Sequence, residues 1–135
     1  MYSDQTLKDT LLSTKTIASV GLSSNMEKVS YGVGAYLLEQ GYQVIPVNPT
    51  ADEILGEKSY PDLESVPDNL DVVQVFRRPE DVPHVVESAI KVGAKVVWMQ
   101  LGIVNEDAAQ TGRDAGLQVV MDRCMRAEHK RLIGD

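Results

Sequence analysis

Three short segments hold residue types suited to a phosphorylated nucleotide, two of them to its phosphates. Val20-Gly-Leu-Ser-Ser-Asn-Met-Glu-Lys-Val-Ser-Tyr31 joins an apolar run to a helical one. Within it Gly21 permits close backbone approach, Ser23 and Ser24 offer hydroxyls, and Lys28 adds a charge. A helix opening near Ser30 and Tyr31 aims free N–H groups and the positive end of its dipole at whatever lies before it. Phe76-Arg77-Arg78-Pro79 brings two guanidiniums, whose forked donors match phosphate oxygens bidentately. Val47-Asn48-Pro49 offers a side-chain amide suited to a ribose or an adenine edge. Each segment also has a plainer reading: a tight turn with solvated serines, one solvated arginine beside a surface salt bridge, and a turn-forming Asn-Pro pair.

Other chemistries fit less well. The first segment is not the dinucleotide fingerprint, because Ser23 stands where a second glycine belongs and Met26 where a third belongs. Strand two would end in Asn48 rather than the Asp or Glu that grips a nicotinamide cofactor's ribose, which weakens an NAD reading. Cys124 and His129 lie five residues apart, about 140° around a helix, so they do not share a face as a nucleophile and its base must. His84 falls inside a helical segment, and nothing pairs with the cysteine or either histidine at metal-ligand spacing.

Such residues act together only if a scaffold converges them. The chain alternates β-branched runs with helical periodicity, the pattern of stacked βαβ units. Strands are expected at Thr16 to Val20, Tyr42 to Val47, Asp71 to Phe76, Lys95 to Gln100 and Leu117 to Met121. These nearly continuous apolar runs suit strands covered on both faces. Helices are expected from Ser3 to Ser13, Ser30 to Gln40, Glu80 to Val92, Asn105 to Ala115, and after Cys124. The expected fold is a single-domain, Rossmann-like, doubly wound α/β structure over residues 1 to 135. Its parallel sheet has about five strands in the order 3-2-1-4-5, with helices on both faces. The stretch Asn48 to Asn69 reads as a long irregular connection replacing a helix. Ligands of such sheets sit beyond the carboxyl ends of the strands, where all three of these segments fall.

Composition narrows the partners. The 135 residues suffice for about one core, with no room for a second catalytic domain. Hydrophobic residues make up 43% and charged ones 24%, as in an ordinary globular protein. A net charge of −7 disfavours nucleic acid, which is bound through clustered cations. No apolar run approaches the roughly 20 residues of a membrane span. One cysteine suggests no oxidising compartment, so the cytoplasm is the expected location.

Six motifs taken in order resemble the stand-alone CoA-binding protein family, related to the amino-terminal CoA-binding domain of the succinyl-CoA synthetase alpha subunit. They are Val20-Gly-Leu-Ser-Ser-Asn25, Lys28-Val-Ser-Tyr31, Val44-Ile-Pro-Val-Asn-Pro49, Phe76-Arg-Arg-Pro-Glu80, Val97-Trp-Met-Gln-Leu-Gly102 and Met121-Asp-Arg-Cys-Met125. The resemblance implies that Gly21, Ser23, Ser24 and Lys28, with Ser30 and Tyr31, hold the phosphates of coenzyme A. Val47, Asn48 and Pro49 would lie beside the adenosine, Phe76, Arg77, Arg78 and Pro79 would line the next side, and Met99, Gln100 and Gly102 would flank the pantetheine arm. Cys124 matches the family's cysteine where the CoA thiol would arrive, and could form a mixed disulfide with it. The implied function is binding or sensing of CoA or an acyl-CoA without catalysis, since the synthetase's phosphohistidine domain and partner subunit have no counterpart here. An NAD(P)-binding module or small oxidoreductase, and a CoA-linked thiol redox protein using Cys124, remain as alternatives, and a homodimer stays open.

Overall fold

A computed structural model describes residues 2–134. In chain order it comprises α1 (Asp4–Ser13), β1 (Thr16–Val20), α2 (Val29–Glu39), β2 (Gln43–Val47), β3 (Glu53–Ile54), β4 (Glu57–Lys58), β5 (Val72–Val75), α3 (Val82–Lys91), β6 (Val96–Met99), α4 (Glu106–Asp114), β7 (Gln118–Val120) and α5 (Met125–Leu132). Single turns of 3-10 helix lie at Leu63–Ser65 and Pro79–Asp81. Local chemistry sets several boundaries. Ser3 caps α1 by accepting a hydrogen bond from the Thr6 amide, and Asn105 caps α4 by accepting one from Ala108. Helix α3 buries Val82, Val85, Val86 and Ala89 along one face, as their spacing requires.

Strands β2-β1-β5-β6-β7 form one parallel sheet, and β3 and β4 pair as a separate antiparallel hairpin. The doubly wound α/β class expected from the sequence is therefore present, but the strand order is not. Numbering only the five long strands, the observed order is 2-1-3-4-5 rather than 3-2-1-4-5. The third long strand, β5, is buried at all four residues and pairs with β1 on one side and β6 on the other. The outer position beside β2 is taken instead by a single residue, Tyr60, bridged in parallel to Val47.

Side chains alternate across the sheet. Ala18, Val20, Val73, Val75, Val97 and Met99 face one way, onto α3, α4 and the connection's Leu63, Val66 and Leu70. Ile17, Val72, Val96, Trp98 and Val120 face the other way, onto Leu7 and Leu11 of α1, Val33 and Leu37 of α2, and Met125 of α5. The connection after Asn48 thus covers sheet where a helix would otherwise lie. It also contains the small β3–β4 hairpin, which the sequence reading treated as irregular.

Candidate functional site

The chain leaves β1 toward β2 on one side and reaches β6 and β7 from β5 on the other, so the loops after β1 and β5 diverge and open a crevice between them. The crevice root is tightly bonded. The Gly21 amide donates to the Val47 carbonyl at 2.9 Å, and the Phe76 amide donates to that of Val20 at 2.8 Å. Gly21 has φ +90°, and a Cβ there would stand 2.8 Å from the Phe76 carbonyl oxygen. Only glycine lets the backbones ending β1, β2 and β5 meet this closely.

The loop from Gly21 to Lys28 is shaped by its own polar side chains. Ser30 Oγ accepts from the Ser23 amide, Ser23 Oγ from Asn25, and Asn25 Oδ1 from Glu27. Ser30, buried, therefore serves the turn's shape. Helix α2 then starts at Val29 after Lys28 at its N-cap, with no side-chain cap and no acid in its first turn, so its positive end lies open toward the crevice. Asn48 is committed locally as well. Its Nδ2 donates to the Leu22 carbonyl, and its Oδ1 accepts from the amide and hydroxyl of Thr50.

The two adjacent arginines have separate fates. Arg78 is exposed and turned back onto its own loop, bonded to Asp81 at 3.3 Å and near Glu80 at 3.9 Å. Those carboxylates hold its guanidinium firmly protonated, Asp81 foremost. Arg77 is half-buried and bonds nothing among the described residues. It lines a cleft of about 450 Å³ with an apolar floor of Val20, Val47, Leu63 and Val85. Three of the cleft's carboxylates are already engaged, Asp62 with the Ser65 amide, Glu64 with the Ser88 hydroxyl and Asp81 with Arg78. Exposed His84 adds the one imidazole on this wall.

At the far side of the crevice Met99 and Gln100 are buried beneath the rim, whereas Gly102 is exposed and its amide donates to Asp122 Oδ1 at 2.7 Å. Gln100 acts from below: its Oε1 accepts from the Met125 amide and from Gln74 Nε2, which fixes the start of α5. Cys124 occupies the N-cap position of that helix, half-buried. Trp98 Nε1 donates to the carbonyl of Arg123 just before it. His129 stacks edge-on against Tyr36 and Tyr42 and bonds the Tyr36 hydroxyl at 2.7 Å, so its role is packing. Burial pushes its pKa down from the ordinary imidazole value.

The sequence-derived site residues thus gather at one end of the sheet, but in two groups. Gly21, Ser23, Ser24, Lys28, Tyr31, Pro49, Phe76, Arg77, Gly102 and Cys124 reach the rim at least in part, whereas Val47, Met99 and Gln100 are buried. One half-buried cation at this end of the sheet lies outside the sequence-derived set. Arg126, in the first turn of α5, places Nη1 3.1 Å from where a Cβ on Gly32 of α2 would stand. Only the small residue at position 32, remote in sequence, could have hinted at it.

Comparison with known proteins identifies the family. The family described as the CoA binding domain matches residues 15–130. The chain is 42% identical over 123 residues to the protein YneT of Bacillus subtilis, covering 91% of each. A solved protein from Pyrococcus horikoshii superposes with a TM-score of 0.96 at 44% identity, over 98% of this chain and 94% of that one. The ADP-forming acetate–CoA ligase II of Archaeoglobus fulgidus is 31% identical over 96 residues, 70% of this chain but only 14% of the ligase. The family match over most of the chain and these relatives lead to one conclusion: the chain belongs to the CoA-binding domain family, whose members include the CoA-binding portions of ADP-forming acetate–CoA ligases, relatives of succinyl-CoA synthetase alpha.

Proposed function

We propose that this domain binds coenzyme A or an acyl-CoA as a binding or sensing module, without acyl-transfer chemistry of its own. The observation that carries the reading is the Gly21 turn, locked between β2 and β5 beside a half-buried Arg77 that has no carboxylate partner. A half-buried arginine with no partner in the protein keeps its forked donors available to an anion. In the proposed complex the diphosphate lies against the Gly21–Lys28 loop and the open start of α2. The adenosine occupies the apolar-floored cleft, Arg77 meets the 3'-phosphate, and the pantetheine arm runs toward Gly102 and Cys124. A nicotinamide cofactor finds less here, since the residue ending β2 is Asn48 and its amide is already bonded. A mixed disulfide between Cys124 and the CoA thiol would need an external oxidant and the arrival of the arm at α5.

Isothermal titration with CoA, dephospho-CoA, acetyl-CoA and NAD tests the proposal. Saturable binding of CoA is expected, with NAD far weaker. Arg77→Ala is expected to lower CoA affinity roughly 10- to 100-fold, the worth of one charge-assisted contact, while dephospho-CoA binding stays nearly the same. Equal binding of NAD and CoA, or no binding of CoA, would refute it.

A further inference from the structure

We infer that Arg126, reaching across from α5, is a second phosphate-binding arm, and that Gly32 is the residue that admits it. This deepens the CoA reading above and rests on it. Of the six arginines, four bond a carboxylate or a carbonyl within the protein: Arg78 to Asp81, Arg113 to the Val119 carbonyl, Arg123 to Glu128, and Arg131 to Asp4 and Glu128. Arg77 and Arg126 bond nothing among the described residues, yet both are half-buried. Both lie at the carboxyl end of the sheet, one following β5 and the other opening α5. A chain with a net charge of −7 has acids to spare, so leaving these two unpaired at one end of the molecule is a specific arrangement.

Arg126 Nη1 lies against Gly32, the fourth residue of α2. The first turn of that helix has no acid and no side-chain cap, and Lys28 stands at its N-cap. Two cations therefore flank the positive end of a helix dipole, a repulsive arrangement for the empty protein. An anion of more than one charge, in contact with the helix amides and with both cations, turns that repulsion into attraction. Within CoA the group of that description at the start of α2 is the 5'-diphosphate, whereas the 3'-phosphate is assigned to Arg77. Gly32 has ordinary helical geometry, so its lack of a side chain serves space: a methyl there would press on the guanidinium.

Calorimetric titration of the full chain with CoA, dephospho-CoA and pantetheine tests this. Arg126→Ala is expected to weaken CoA and dephospho-CoA alike by roughly 10- to 100-fold and to leave the melting temperature unchanged, because the side chain bonds nothing in the free protein. Arg126→Lys recovers part of the loss, a point charge replacing a planar fork. Gly32→Ala weakens both ligands while keeping the helix. Pantetheine, without phosphates, binds weakly to every variant. Wild-type affinity in Arg126→Ala would overturn the assignment and leave the CoA reading standing. Absence of CoA binding by the wild type would overturn both.

Discussion

Gly21 and Arg77 show what the sequence reveals about single residues and what it hides. Gly21 was legible as a close-approach glycine, because its neighbours Val20 and Leu22 to Ser24 read as a strand giving way to a turn. Arg77 and Arg78 were not separable, since adjacent residues of one type carry no mark of which will be paired. Pro79-Glu80-Asp81 folds as a 3-10 turn and returns its carboxylates onto Arg78 alone. Arg126 was invisible because its meaning comes from Gly32, which packing brings beside it. A comparison of two glycines checks the close approach at the crevice root. Gly21 and Gly41 have φ +90° and +96°, but a side chain at Gly41 would meet nothing within 4 Å. Gly41→Ala is expected to cost about 1–2 kcal/mol, the backbone penalty alone. Gly21→Ala is expected to cost more, by the displacement of Phe76. Equal urea midpoints for the two variants would show that the Phe76 contact is slack.

Strands and helices were the most legible level. Runs covered on both faces announce themselves by unbroken apolarity, and the expected β1, Thr16 to Val20, is the observed one. The other long strands lose a residue or two at their ends, such as Tyr42 and Phe76, whose rings pack on the second core from just outside the ladder. The β3–β4 hairpin escaped notice because two-residue strands are too short to show a period. Helix α5 is the element whose attachment depends most on ionised groups. Burial pushes Glu128 up, but hydrogen bonds from Arg131 and Arg123 outweigh it and hold the carboxyl below its ordinary 4.5. Asp71, desolvated but bonded by the Lys15 and Thr16 amides and by Lys95, likewise sits below 3.8. His129 lies below 6.5 through burial. In all three the unfolded chain binds protons more readily than the folded one, so stability is full above the unfolded values and declines on acidification. The urea midpoint is expected to be flat between about pH 7 and 9, to fall below about 6.5 as His129 is forced to charge, and to fall more steeply below about 4.5. His129→Gln should abolish the upper decline and keep the lower one. A midpoint unchanged between pH 7 and 5.5 in the wild type would mean that His129 is not held neutral by its burial.

For the molecule as a whole, the sequence specified a parallel sheet but not its order. Right-handed crossovers permit the third long strand to settle on either side of the first pair, and apolar runs do not distinguish the two, since the edge strand β2 is nearly as buried as the interior β5. Both sheet edges are protected. Tyr60 bridges β2, while at β7 the Val119 amide donates to the Tyr2 hydroxyl and the Val119 carbonyl accepts from Arg113. The opposite margin also carries a cleft of about 440 Å³ bordered by Tyr2, Arg113 and Met121, a rival location for any ligand. Amide chemical-shift mapping of the isotope-labelled protein during titration with CoA distinguishes the two most directly. The largest shifts are expected on Gly21 to Tyr31, Phe76 to Arg78 and Cys124 to Arg126. Shifts centred on Tyr2, Arg113 and Met121, with the Gly21 loop silent, would contradict it.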